Sequence, residues 1–164
     1  MLARLGGEYE AQAKAAGLRL IVVPTRAVVH TDRQLLERML RNLISNAIRY
    51  TASGRVLIGC RHRRGHVSVQ VWDTGIGIPE DKLGAIFGEF QQLGGAPRRN
   101  AAGLGLGLAI VERIARLLSL RIDVRSRLGR GSCFAVEVPC GVGSARDRRL
   151  RRALGRTFPG AAWW

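Results

Sequence analysis

Apolar and polar positions along the chain change period several times, and each change predicts an element. Over residues 1–16, Leu2, Leu5 and Tyr9 form one stripe at helical spacing, and Gly17 supplies the stop. Leu18 to Val23 alternates and is rich in aliphatics, which predicts a strand ended by Pro24, with Ala27 to His30 as a short partner strand. Thr31 or Asp32 is a good N-cap. After it, Leu36, Leu40, Leu43 and Ala47 recur at helical spacing, joined by Leu35, Met39, Ile44 and Ile48, so a helix is expected to about Tyr50. Ser53-Gly54 breaks it. Arg55 to Arg61 and Val67 to Trp72 read as two strands around the turn Arg63-Arg64-Gly65.

Pro79 is placed to open a short helix, Glu80 to Ile86. Residues 88–103 hold no sustained period and read as a mobile loop, with 92–102 expected to be poorly ordered in the absence of ligand. Leu104 to Leu118 has a strong helical pattern. Leu120 to Ser126 and Ser132 to Val138 are two last strands around Gly129-Arg130-Gly131. Hairpins alternating with helices predict an α+β two-layer sandwich: a mixed, mostly antiparallel sheet with helices on one face. Residues 17–140 form its single domain. Residues 1–16 are a helical segment before it, and 141–164 a basic linker or tail with six arginines against one aspartate.

Composition narrows the class. At 164 residues, with 46% hydrophobic and 24% charged, the chain suits one folded domain. No apolar run approaches the ~18 residues of a membrane helix. Glu8 and Glu10 stand where a signal peptide needs an apolar stretch, so a cytoplasmic location is expected, with any membrane anchor lying outside this chain. Cys60, Cys133 and Cys140 form no CxxC pair and read as reduced structural residues. The net charge of +15 invites a nucleic-acid reading. With aromatics at 5% there is no stacking platform, and a solvated basic surface is the better account; no specific nucleic acid is expected.

Three clusters carry candidate chemistry. Asn42 and Asn46 stack on one helical face, with Arg49 and Tyr50 one turn on. That face offers two hard amide oxygens suited to Mg²⁺, a cation suited to phosphate and a ring suited to a base. The plainer alternative is a helix with two solvent-facing asparagines. In Trp72-Asp73-Thr74-Gly75-Ile76-Gly77-Ile78-Pro79, a carboxylate at a strand end can accept from the exocyclic amine of adenine and would repel the O6 of guanine. The alternative is an ordinary Asp-Gly turn. Gly103-Leu104-Gly105-Leu106-Gly107-Leu108 opens a helix with backbone able to approach phosphate closely, or else is a hinge. There is no GxxxxGK[ST], which excludes a P-loop, and GxGxG here follows a loop rather than a strand, which argues against a dinucleotide fold.

Together and in this order the clusters resemble the ATP-binding superfamily that groups gyrase B, the heat-shock chaperone ATPase, histidine kinases and MutL, whose Bergerat-type fold the element order also suits. The helix at 32–50 resembles the histidine-kinase N box, and Asp73-Thr74-Gly75-Ile76-Gly77 the G1 box. Phe87 and Phe90 resemble the F box, Gly103 to Gly107 the G2 box, and Gly129-Arg130-Gly131-Ser132 the last glycine motif. The resemblance implies Asn46 as principal Mg²⁺ ligand with Asn42 assisting, Arg49 on phosphate, and Tyr50 against adenine. It implies Asp73 on the adenine amine, with Gly75, Gly77 and Ile78 shaping the pocket and Ser132 beside the base. Residues 88–103 would be an ATP lid that brings Gly103, Leu104, Gly105, Leu106 and Gly107 to the phosphates.

One position separates the branches. ATPases of the superfamily carry a glutamate four residues before the Mg²⁺ asparagine, as general base on water; here it is Asn42. An amide cannot take a proton, so hydrolysis loses its base, as in a histidine kinase, whose acceptor imidazole is itself the nucleophile. A gyrase- or MutL-type ATPase is the alternative, and a non-catalytic binding module a third. His30, His62 and His66 stand in no His-Glu-x-x-x-Pro context, and the last two read as exposed hairpin residues. The resemblance therefore implies a monomeric catalytic fragment that binds ATP without autophosphorylating. Its partners would be the dimerisation helices bearing the acceptor histidine, with residues 1–16 as a stump of them, and a response-regulator receiver domain. Phe90-Gln91-Gln92-Leu93-Gly94 and Ser126 to Pro139 are similar to hybrid kinases.

Overall fold

A computed structural model describes residues 1–88 and 106–141. The elements run α1 (Leu2–Ala15), β1 (Leu18–Val22), α2 (Arg33–Tyr50), β2 (Gly54–His62), β3 (His66–Asp73), a 3-10 turn (Glu80–Lys82), α3 (Gly107–Leu117), β4 (Arg121–Arg127) and β5 (Gly131–Pro139). The strands form one sheet in the order β1-β2-β3-β5-β4. Of these strand pairs β1–β2 is parallel, and the other three are antiparallel. This is the mixed α+β sandwich the periodicities predict.

The two side-chain periods meet in one core. Alternate strand positions Val56, Ile58, Val67, Val69, Val71, Phe134, Val136 and Val138 face the apolar stripe of α2, Leu36, Met39, Leu40, Leu43 and Ile44, with Val111 and Ile114 of α3. Leu2, Leu5 and Ala13 of α1 join the same cluster. Arginines and glutamates of α1 and α2 interlock at its rim: Arg4 pairs with Glu8 and Glu37, Arg41 with Glu8, and Arg33 with Glu37 at 3.0 Å. The hydrogen bonds from Arg4, then Arg33, hold the Glu37 carboxyl below the usual carboxylate range. The arginines of these pairs reach into solvent, so the pairs orient α1 more than they stabilise it. On the other side of the sheet a hydrogen-bonded row runs from Trp72 Nε1 to Gln70 Oε1 and from Gln70 Nε2 to Ser68 Oγ, each 3.0 Å, directly before Asp73.

Local chemistry sets the ends of α2. Asp32 Oδ1 accepts from the Leu35 N–H at 2.8 Å, satisfying one of the helix's free amides. Replacing Asp32 by Ala should lower stability by about 1 kcal/mol, readable in urea titration as a lower midpoint at constant slope. At the other end the Thr51 hydroxyl donates to the Ala47 carbonyl at 2.7 Å, and the chain turns under Tyr50 toward β2.

Several expectations need correction. Ala27 to His30 does not pair with β1. Val29 instead bridges Cys140, with the His30 N–H donating to the Pro139 carbonyl (3.0 Å) and the Gly141 N–H to the Val28 carbonyl (2.8 Å). β1 is matched in parallel with β2, and the segment after Pro24 leads away to the far end of β5. Residues 80–86 do not make an α-helix: the bonds Lys82 N–H to Pro79, Leu83 to Glu80 and Ala85 to Lys82 all span three residues. A stretch this short, with Gly84 in it, does not repay helix nucleation and settles into tight turns. The described part of α3 starts at Gly107 rather than Leu104. It ends with Ser119 at φ +52, where the Leu120 N–H reaches back to the Ala115 carbonyl at 2.8 Å. His62 is half-buried rather than exposed, whereas the His66 ring is 41% exposed, with Nε2 2.8 Å from Glu137. Cys60, Cys133 and Cys140 are all free thiols, and burial pushes the Cys133 thiol up. The expected lid and the tail, residues 142–164, lie outside the described residues. Among the described residues no helix is long and apolar enough to cross a membrane.

Candidate functional site

A cavity opens between the C-terminal half of α2 and the β3–β5 end of the sheet. It encloses about 680 Å³, counting the solvent at its mouth. Helix α2 contributes Asn46, Ala47 and Tyr50, and the end of β3 contributes Asp73. Ile76, Gly77 and Ile78 follow in the turn. Lys82, Ala85 and Ile86 come from the tight turns, Leu108 from α3, and Ser132 and Phe134 from β5. The walls are mostly apolar, and Asp73 is the one carboxylate among the described lining residues, a setting suited to a flat, partly polar ligand.

Asp73 is 5% exposed. Its Oδ1 accepts from the Gly75 N–H at 2.8 Å and the Ser132 N–H at 3.2 Å, which leaves Oδ2 for the cavity. Burial pushes its carboxyl up to about 7, and the two amide donors offset part of that shift. A carboxyl that is dry, anchored through one oxygen and open through the other is an acceptor for a ligand amine.

The loop around it is held by close backbone approaches. Gly77, at φ +70, lies against the Arg127 carbonyl, and Gly131, at φ +104, against the Asp73 carbonyl; a Cβ at either would overlap the backbone it touches. Crosswise bonds tie the same pieces together: Gly129 N–H to the Ile76 carbonyl (2.7 Å), Ile76 N–H to the Tyr50 carbonyl (3.2 Å) and Ile78 N–H to Ser126 Oγ (2.7 Å).

Of the residues expected from sequence, Asn46, Tyr50, Asp73, Gly77, Ile78 and Ser132 line this cavity. Asn42 and Gly107 sit next to it. A Cβ placed on Gly107 would be 3.4 Å from Asn42 Oδ1, 3.4 Å from Asn46 Nδ2 and 3.5 Å from Asn46 Oδ1, so the Asn42 oxygen and the whole Asn46 amide face the first turn of α3. The Asn42 amide nitrogen is turned away, donating to the Arg38 carbonyl at 2.9 Å. Gly75 is buried behind Asp73, and Leu106 caps α3. Phe87 packs half-buried against the core, and Arg49 is exposed and off the cavity wall. Phe90, Gly103, Leu104 and Gly105 lie outside the described residues. Sequence reading missed Ala47, Ile76, Lys82, Ala85, Ile86, Leu108 and Phe134. Ile76 sits between two site glycines, Ala47 beside Asn46 and Leu108 after Gly107, and those adjacencies were the signal available.

The arrangement has a largely apolar slot with an acceptor in its wall. Next to it lie two amide oxygens and a helix start, the donor set for a hard divalent cation and for phosphate. Residues 31–142 match the family of histidine kinase-, DNA gyrase B- and HSP90-like ATPases. The chain is 37% identical over 133 residues to the autoinducer 2 sensor kinase/phosphatase LuxQ of Vibrio vulnificus, covering 77% of this chain and 16% of that protein. It is 39% identical over 135 residues to the aerobic respiration control sensor protein ArcB of Escherichia coli, covering 77% and 17%. The chain thus spans less than a fifth of the length of these curated relatives. Among solved structures, full-length ShkA in complex with AMPPNP superposes with TM-score 0.76 at 29% identity, over 90% of this chain and 31% of that one. The catalytic domain of histidine kinase ThkA superposes at 0.69 and 25%, over 84% and 89%.

Proposed function

Because the chain belongs to the histidine kinase-, DNA gyrase B- and HSP90-like ATPase family, we propose that it is the ATP- and Mg²⁺-binding catalytic part of a two-component sensor histidine kinase. In this role it delivers the γ-phosphate to a histidine on a separate dimerisation domain. Adenine enters the apolar slot, with its amine donating to Asp73 Oδ2 and Tyr50 beside the ring. Asn46, with Asn42, holds Mg²⁺ through the amide oxygens that face Gly107, and the bound ion would neutralise phosphate charge. The start of α3 and Arg49 attend the phosphates. Residues 17–140 are the catalytic domain, 1–16 the end of the preceding hairpin helix and 141–164 a linker. The partners are that hairpin and a receiver domain.

The observation that carries the kinase reading over a hydrolase is what stands beside Asn46. Asn42, an amide, occupies the position one helical turn before it, and the one carboxylate among the described lining residues, Asp73, is anchored at the floor by two backbone amides. A site whose described residues offer water no base positions the nucleotide and leaves attack to an incoming nucleophile. Calorimetric titration should show ATP binding that tightens with Mg²⁺, and a phosphate-release assay on the same sample should show no steady turnover. Steady release would restore the hydrolase reading; no binding by folded protein would leave a non-catalytic module.

A further inference from the structure

Ser126 is given no role in the sequence reading and does not line the cavity, yet its hydroxyl joins three parts of the site. It accepts from the Ile78 N–H at 2.7 Å, donates to the Gly131 carbonyl at 3.0 Å and meets the Ser132 hydroxyl at 2.9 Å, directly across the β4–β5 pair. The protons available set the direction of that last contact. A carbonyl only accepts and a backbone N–H only donates, so all three contacts are hydrogen bonds at once only when Ser126 gives its single proton to Gly131 and Ser132 donates to Ser126. With its proton used, the Ser132 oxygen has only lone pairs to offer the cavity it lines, one residue's width from Asp73, whose Oδ1 takes the Ser132 N–H.

We propose that Ser126 is a specificity-positioning residue: by taking the Ser132 proton it leaves the Ser132 oxygen, beside Asp73 on the cavity wall, a surface that only accepts. That surface selects a base with an exocyclic amine over one with a carbonyl in the same place. The inference rests on the nucleotide-site reading above and adds to it the residue that sets the polarity of the wall. An unconstrained Ser132 hydroxyl could rotate and donate to the O6 of guanine. One that is pinned by Ser126 cannot, and leaves that oxygen facing acceptors, which is the costly arrangement for a buried polar pair.

The test is the ratio of GTP to ATP dissociation constants, measured by calorimetry in the intact chain. In Ser126→Ala the ratio should fall by about tenfold, the worth of one hydrogen bond made or lost. Ser126→Thr, which keeps the hydroxyl, should restore it. Ser132→Ala should lower the ratio too, and the double variant should fall no further than Ser132→Ala alone, because the two act as one unit. If ATP and GTP weaken equally in Ser126→Ala and the ratio holds, Ser126 is merely structural and the proposal is overturned; additive effects in the double variant overturn it as well. Should the alanine variant not fold, Ser126→Cys, similar in size but a poor acceptor, gives the same reading. Failure of the unmodified chain to bind ATP would instead remove the nucleotide-site reading itself, so the two failures are distinct.

Discussion

Asp73→Asn should lose ATP affinity by at least about 100-fold and, above pH 7, melt at a higher temperature than the parent chain. Both effects follow from one buried carboxylate. The amide oxygen of the substituted side chain can still accept from Gly75 and Ser132, so the anchoring survives. The cavity-facing atom becomes an N–H donor, however, and meets the donor amine of adenine. Losing a bond to a charged acceptor and opposing two donors costs about 3 kcal/mol, which is the stated factor. GTP, whose O6 accepts, should lose far less. The pH dependence has a definite sign. Burial raises the carboxyl in the folded chain to about 7, from an ordinary 3.8. The native state therefore holds its proton more tightly than the unfolded chain, and stability is greatest at low pH for this group. It declines as pH rises from about 4 to about 7, and is flat above, by roughly 4 kcal/mol at most. The asparagine variant escapes that decline. Nucleotide binding needs the ionised form, so parental ATP affinity should fall about tenfold per pH unit below 7, and the variant should show no such slope. Calorimetry from about pH 5.5 to about 8.5, spanning the shifted value on both sides, with melting curves at each pH, decides it. A variant that binds ATP normally would place the base elsewhere, and one less stable at about pH 8 would mean that the carboxylate is not strained by burial.

How much of this was legible in the chain depends on how local the cause is. The stripe Leu36, Leu40, Leu43, Ala47 needs only its own helix to be read, and the hairpins at Arg63-Arg64-Gly65 and Gly129-Arg130-Gly131 announce themselves through turn residues next to alternating strands. Asp73 was legible as an acceptor because it ends a strand before two glycines. Its burial was not, because Ser132, 59 residues on, supplies one anchor. Val29 failed to pair as expected for the same reason: its partner Cys140 is chosen by the closing of the whole sheet. Ser126 is the extreme case. A serine in a strand carries no period that announces a role, and its value comes from a strand pairing and a turn that bring Ile78, Gly131 and Ser132 to one oxygen. Side-chain periodicity reports which face an element buries; it is silent on which distant backbone comes to rest against it.

Gly131→Ala should be a severely damaging single-methyl change in the site, and Gly129→Ala, two residues away in the same turn, a mild one. Both glycines have positive φ, +104 and +75, so both substitutions incur the strain of placing an L-residue there, about 1–2 kcal/mol. They differ in what the methyl meets. At Gly129 there is nothing within 4 Å, whereas at Gly131 the nearest atoms are the carbonyl of Asp73 and the Cα of Thr74. Flexible side chains can yield to a methyl, but here the obstacle is the backbone that carries the acceptor, flanked by the Ser132 and Gly75 amides that hold Oδ1. The hairpin must therefore back away from β3, breaking the Ser132–Asp73 bond and opening the cavity floor. A cost above about 4 kcal/mol is expected, combining strain with overlap. At about 3 °C per kcal/mol for a chain of this length, the melting temperature should drop by more than about 10 °C, against about 3–6 °C for Gly129→Ala. ATP binding should vanish in the first variant, even well below its melting point, and persist in the second. Equal losses in the two would mean that positive φ alone is at issue and that the close approach of the β4–β5 hairpin to Asp73 does not form the floor of the site.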